Sequence, residues 1–193
     1  MDAQEVMDLL NAYFPVLVDA VFRFNGTIDK FIGDAILAVF GSPEPDACQH
    51  ENAIQAAADM QSAMRGINAE RACRGLTTCE IGIGIHCGEV LHGFIGSPER
   101  IEFTAIGDAV NKATRYCDGA GAGEILISPR LHEQIWRLIQ ADPVSMFTKH
   151  EGVSARLPGR LPQGAASLAD GRGVRVNQHS PVPVLIAGTS VVK

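Results

Sequence analysis

No run of about 20 uninterrupted apolar residues occurs in this chain, so nothing in it is predicted to span a membrane. The opening stretch, Met1–Leu10, carries Asp2, Glu5 and Asp8 and no lysine or arginine, and so does not read as a signal peptide. Basic residues are outnumbered, 16 Lys and Arg against 22 Asp and Glu, for a formal net charge of -6. No basic surface recommends nucleic acid as a partner. The five cysteines, Cys48, Cys73, Cys79, Cys87 and Cys117, are odd in number and include no C-x-x-C pair. That argues against a disulfide framework or a structural zinc site and suits a reducing cytosol, so a cytoplasmic location is expected. Most of them are expected to be small buried side chains. No internal repeat is present.

What remains is a chain of 193 residues, 46% apolar, with room for one well-cored domain and a tail. Val6, Leu9, Leu10, Tyr13, Leu17 and Val21 recur at helical spacing, which predicts an amphipathic helix over 2–24. Pro15 removes the bond to the Asn11 carbonyl, so a kink or break is expected there. Residues 26–32 and 35–40 read as a hairpin turning at Gly33-Asp34. The arm Ala35–Phe40 is apolar on both faces, as in a strand buried in a layered fold. A helix is predicted from about Asp46 to Arg71, with Ala53, Ala57, Met60, Met64 and Ile67 inside and Gly75 closing it. Strands follow at 79–86, 90–95 and 101–106, then a helix from Gly107 to Cys117. A short strand is expected at 124–127, then a helix capped by Ser128 and begun by Pro129. From Asp142 glycine and proline recur without period, and 142–193 reads as a poorly ordered tail with one late strand near 182–186. Helices alternating with mostly antiparallel strands predict an α+β, ferredoxin-like sandwich. Its hairpin 26–40 is expected to be central in the sheet.

Three segments carry candidate chemistry. In Lys30–Gly41 the carboxylate of Asp34 sits at a hairpin tip, where it can reach a cation, although an ordinary Gly-Asp turn would look the same. In Ile81–Val90 the glycines permit close backbone packing, and His86 reads as a satisfied core or edge histidine rather than a ligand. In Phe103–Arg115, Asn111 and Arg115 stand four apart on one helix face. An amide beside a guanidinium suits a phosphate in transit, because the amide orients it and the fork stabilises developing charge. A solvated helix face is the plainer alternative.

In order and spacing, K-F-I-G-D-A-x-x-A-V-F-G, G-I-G-I-H-x-G-E-V and F-T-x-I-G-D-x-V-N-x-A-x-R make 5–139 resemble the class III adenylate/guanylate cyclase catalytic domain. The resemblance implies a head-to-tail dimer with composite sites, as a homodimer or as a heterodimer with another cyclase domain. In each site two Mg²⁺ or Mn²⁺ ions are held by two aspartates of one protomer, while the other protomer supplies the groups that read the base and steady the phosphate. The ribose 3′-hydroxyl attacks the α-phosphorus and pyrophosphate leaves. By position, Asp34 looks like the second metal aspartate, Lys30 and Thr104 like the base-reading pair, Asn111 like the ribose-orienting residue and Arg115 like the transition-state arginine. Lysine donates to adenine N1 and threonine accepts from the adenine amino group, so ATP is the expected substrate.

The family's D-I-x-G-F-T type motif, which holds the first metal aspartate at the end of its first strand, does not occur in this sequence. Met1 falls where the following helix should begin. The expected organisation is therefore a cyclase domain over 1–141 without its first strand, followed by the tail 142–193. An alternative is a noncatalytic partner or regulatory module that completes a site on another cyclase chain.

Overall fold

The structure, a computed structural model, describes residues 2–139, 142–144, 152–154 and 182–190. Helix α1 (Ala3–Arg23) opens with a capping box. Asp2 accepts from the Glu5 amide at 2.8 Å, and the Glu5 carboxylate accepts from the Asp2 amide at 2.9 Å. The break expected at Pro15 does not occur, and the helix continues through it. Pro15 and Asn11 are both exposed, so the carbonyl left without its amide faces water rather than the core.

Strands β1 (Gly26–Ile32) and β2 (Ala35–Phe40) form the predicted antiparallel hairpin, with Gly33 at the turn in the left-handed region at φ 62°. Helix α2 (Gln49–Cys73) ends as expected at Gly75. The Gly75 amide donates to Ala72 and the Leu76 amide to Arg71, at 3.0 and 2.9 Å. These paired bonds satisfy two of the helix's last carbonyls. There follow β3 (Glu80–Gly88), β4 (Leu91–Ser97), β5 (Arg100–Ile106), α3 (Asp108–Gly119) and β6 (Ile125–Ile127). Next come α4 (Pro129–Ile135), β7 (Asp142–Val144), β8 (Gly152–Ser154) and β9 (Val182–Ser190). Ser128 caps α4 by accepting from the Leu131 amide.

Seven strands form one sheet in the order β1-β2-β9-β3-β6-β8-β7, and β4 with β5 makes a separate two-stranded ribbon. Within the large sheet only β3 and β6 are parallel. This is the expected α+β architecture, with one change in the hairpin's place. Its apolar arm β2 is buried inside the sheet, but β1 is the edge strand. The late strand expected near 182–186 exists, and it lies inside the sheet, antiparallel to both β2 and β3. A boundary at 141 would leave the sheet without this strand and without β7 and β8. The rest of the segment expected to be a tail lies outside the described residues.

The sheet is covered on both faces, which is why β2 is apolar throughout and β9 is apolar from Val182 to Ala187. On one face Ile36, Ala38 and Phe40 of β2, Leu185 and Ala187 of β9, and Ile81, Ile83 and Ile85 of β3 pack with α1, α2 and α4. On the other face Leu37, Val184 and Ile186 meet Ala109 and Ala113 of α3. The glycines of the G-I-G-I-H segment lie under that helix. A Cβ on Gly84 would collide with backbone atoms of Ala113, Tyr116 and Cys117. Glycine is therefore what lets α3 seat directly on β3.

Candidate functional site

Two of the five predicted site residues meet through a third that sequence reading missed. Residue pairing between β1 and β2 slips between Ile28 and Lys30, leaving Asp29 as the extra residue of a bulge. Bulges re-aim a side chain that a regular pleat would send elsewhere. Here the Asp29 carboxylate, 2% exposed, turns toward β5. Its Oδ2 accepts from the Thr104 hydroxyl at 2.9 Å, and its Oδ1 accepts from the Ala105 amide at 2.6 Å. Lys30 Nζ lies 3.7 Å from the same Oδ2 and 4.0 Å from Glu102 Oε2. Lys30 and Thr104, predicted as the base-reading pair, thus converge on one carboxylate oxygen. Thr104 is buried and the Lys30 side chain remains 37% exposed, so its ammonium can still reach a ligand.

His92 of β4 closes the far side, with Nε2 3.8 Å from Asp29 Oδ1, its Nδ1 paired with the Ser42 hydroxyl and its ring stacked near Phe103. Burial pushes the His92 imidazole below its ordinary pKa, and Asp29 opposes that shift. The signal that could have exposed Asp29 is an acidic residue in the body of a strand, directly between Ile28 and Lys30.

Asn111 and Arg115 lie on the exposed side of α3, as their spacing predicts, while Ala109, Ala113 and Tyr116 face inward. Asp108 at the start of this helix pairs with Lys112 at 2.6 Å, and that bond is the main reason its carboxyl is held below the usual range. Asp34 is exposed at the hairpin tip. Its charge reaches Cys117 of α3, whose thiol is raised to about 11 chiefly by burial and further by Asp34.

Two metal ions are typical of the family that the motifs resemble. Among the described residues no group of three or more His, Cys, Asp or Glu side chains is placed to hold a metal. Asp34 is the one metal ligand that the motifs assign to this chain.

His86 is buried, as expected of a core histidine, but not satisfied. Its Nδ1 has no hydrogen-bond partner among the described residues, and the ring stacks on Tyr116 with centroids 6.0 Å apart. Burial, with lesser contributions from Lys112 and Arg130, lowers its pKa to about 4. Of the cysteines, Cys79 and Cys87 are buried and Cys117 is partly so, whereas Cys48 and Cys73 are exposed.

Comparison with known proteins extends the motif reading across most of the chain. Residues 1–156 match the adenylate and guanylate cyclase catalytic domain family. An uncharacterized protein of Mycobacterium tuberculosis strain H37Rv, Rv1318c, is 40% identical over 126 residues, 64% of this chain and 22% of that protein. The chain thus spans about a fifth of the length of such curated relatives. Among solved structures, the guanylyl cyclase Cya2 is similar at a TM-score of 0.71 and 32% identity, with 80% of each chain covered. The adenylyl cyclase CyaB from P. aeruginosa is similar at a TM-score of 0.73 and 29% identity, covering 83% of this chain and 86% of that one. No helix among the described residues is long and apolar enough to cross a membrane. With the fold, the three motifs and these likenesses in agreement, the chain belongs to the adenylate and guanylate cyclase catalytic domain family.

Proposed function

We propose that this chain is an adenylate cyclase-type domain, serving the conversion of ATP to 3′,5′-cyclic AMP and pyrophosphate in intracellular signalling. Structures similar to it include both a guanylyl and an adenylyl cyclase, so the choice of base rests on the chain's own residues. The observation that carries the reading is the convergence of Lys30 and Thr104 on Asp29. It sets an ammonium donor beside a hydroxyl, the pair that matches adenine N1 and the adenine amino group. Guanine offers the opposite pattern, with a hydrogen on N1 and an acceptor at O6. Asn111 orients the ribose, and the Arg115 guanidinium stabilises charge that develops on the phosphate as the 3′-hydroxyl attacks.

The family resemblance supports a site shared between two protomers, in which one holds the two Mg²⁺ or Mn²⁺ ions and the other supplies the groups that read the base and steady the phosphate. In a second reading the chain completes a site on another cyclase domain, to which it contributes Lys30, Thr104, Asn111 and Arg115. Exchange of the base readers tests the first reading. In a reconstituted active dimer, Lys30→Glu with Thr104→Cys is expected to lower ATP turnover and raise GTP turnover. An unchanged ATP/GTP preference would remove these residues from base recognition.

A further inference from the structure

We infer that Asp29 is a positioning residue that sets base specificity by fixing which way the Thr104 hydroxyl points. The inference rests on Lys30 and Thr104 being the base readers. A threonine hydroxyl has one proton and two lone pairs, and by rotating it can serve an amino group or a carbonyl equally. Alone it would not discriminate adenine, which presents an amino group at position 6, from a 6-oxopurine, which presents an acceptor there. In this protein the rotation is fixed. The hydroxyl donates its proton to Asp29 Oδ2 at 2.9 Å, and carboxylate oxygens can only accept. What Thr104 has left to offer is lone pairs, so it accepts an amino group and repels a carbonyl oxygen.

The carboxylate is itself held so that it cannot turn away. Its other oxygen takes the Ala105 amide at 2.6 Å, it is 2% exposed, and the β1 bulge aims it at β5. Lys30, 3.7 Å away, offsets part of the cost of burying the charge and presents the N1 donor beside the fixed acceptor. One buried carboxylate thus sets the polarity of the Thr104 contact, while Lys30 is a donor in any case.

Binding of ATP and of inosine triphosphate to the full chain, by displacement of a fluorescent ATP analogue, tests this. The ATP/ITP affinity ratio is expected to favour ATP in the wild type. Asp29→Asn can keep its oxygen on the Ala105 amide and turn its NH₂ toward Thr104. The hydroxyl proton is then released to donate, and the ratio is expected to fall by about tenfold. Thr104→Val should lower the ratio by itself, and adding Asp29→Asn to it should lower it no further, because Asp29 acts only through that hydroxyl.

If Thr104→Val lowers the ratio and Asp29→Asn does not, Thr104 reads the base without Asp29 and this inference is overturned while the base-reading assignment stands. If Thr104→Val leaves the ratio unchanged, or no nucleotide binds, that assignment falls and the inference with it. A second measurement needs no substitution. The Thr104 hydroxyl proton should exchange slowly by NMR and show proximity to the Asp29 methylene, and a freely averaging hydroxyl would overturn the inference even if Asp29→Asn did not fold.

Discussion

At the scale of single residues, the two informative side chains are those whose surroundings sequence spacing does not report. An acidic residue between Ile28 and Lys30 reads as part of a solvent-facing alternation, and only the bulge turns Asp29 inward. The burial of His86 was legible from its apolar neighbours, but the lack of a partner for its Nδ1 among the described residues was not, because that depends on how α3 lies over β3. The histidine makes a pH prediction. Its pKa falls from 6.5 in the unfolded chain to about 4 in the folded one. Above pH 6.5 it is neutral in both states, and its full contribution to stability is present. As pH falls from 6.5 through 4 the unfolded chain takes up the proton first, so stability is lost over that window. The loss amounts to about 2–3 kcal/mol for a shift of this size. Urea unfolding across pH 7 to 4 should show the wild type losing more stability than His86→Phe, which keeps a ring against Tyr116 and cannot charge. Parallel curves for the two proteins would show that His86 does not titrate in this way.

At the scale of elements, the hairpin, α1, α2 and β3–α3 were legible because each has its own period, cap or turn residue. Two features were not: the edge place of β1, and the interior place of β9. Strand order depends on which chain segments meet across the sheet, and no local pattern encodes that. The run Val182–Ile186 looked like the late strand of a tail because a long glycine- and proline-rich stretch precedes it. Its inward residues show otherwise. Leu185 is fully buried against the α1–α2 core, and Val184 and Ile186 are buried beneath α3. Leu185→Ala should therefore cost about 2–4 kcal/mol in chemical denaturation, as a core truncation does. A change below about 0.5 kcal/mol, typical of surface positions, would mean that β9 is not part of the folded sheet. Gly84 tests the opposite face. Gly84→Ala puts a methyl into the backbone of α3, so the helix must shift and carry Asn111 and Arg115 with it. That variant is expected to lose stability and, in an active dimer, to lower kcat more than it raises KM. Unchanged stability and kinetics would mean that α3 does not seat on β3 as described.

At the scale of the whole molecule, what the surface exposes fits association with a second cyclase domain. The β4–β5 ribbon exposes Leu91 at 75%, Phe94 at 77% and Ile101 at 61%, an apolar surface that a lone domain has no reason to keep. Phe94→Glu should accordingly weaken association with a cyclase partner in analytical ultracentrifugation while leaving the melting temperature nearly unchanged. The proposed nucleotide contacts of this chain are Lys30 and Thr104 on the sheet side and Asn111 and Arg115 along α3. Paired with an intact cyclase domain disabled only at its own arginine, the chain would form one site with both metal carboxylates from the partner and all four nucleotide-contacting residues from this chain. Cyclic AMP synthesis should then return, and Arg115→Ala should abolish it, by roughly a thousandfold if the guanidinium acts on transition-state charge as arginines in phosphoryl transfer do. Activity that survives Arg115→Ala would take this residue out of the site.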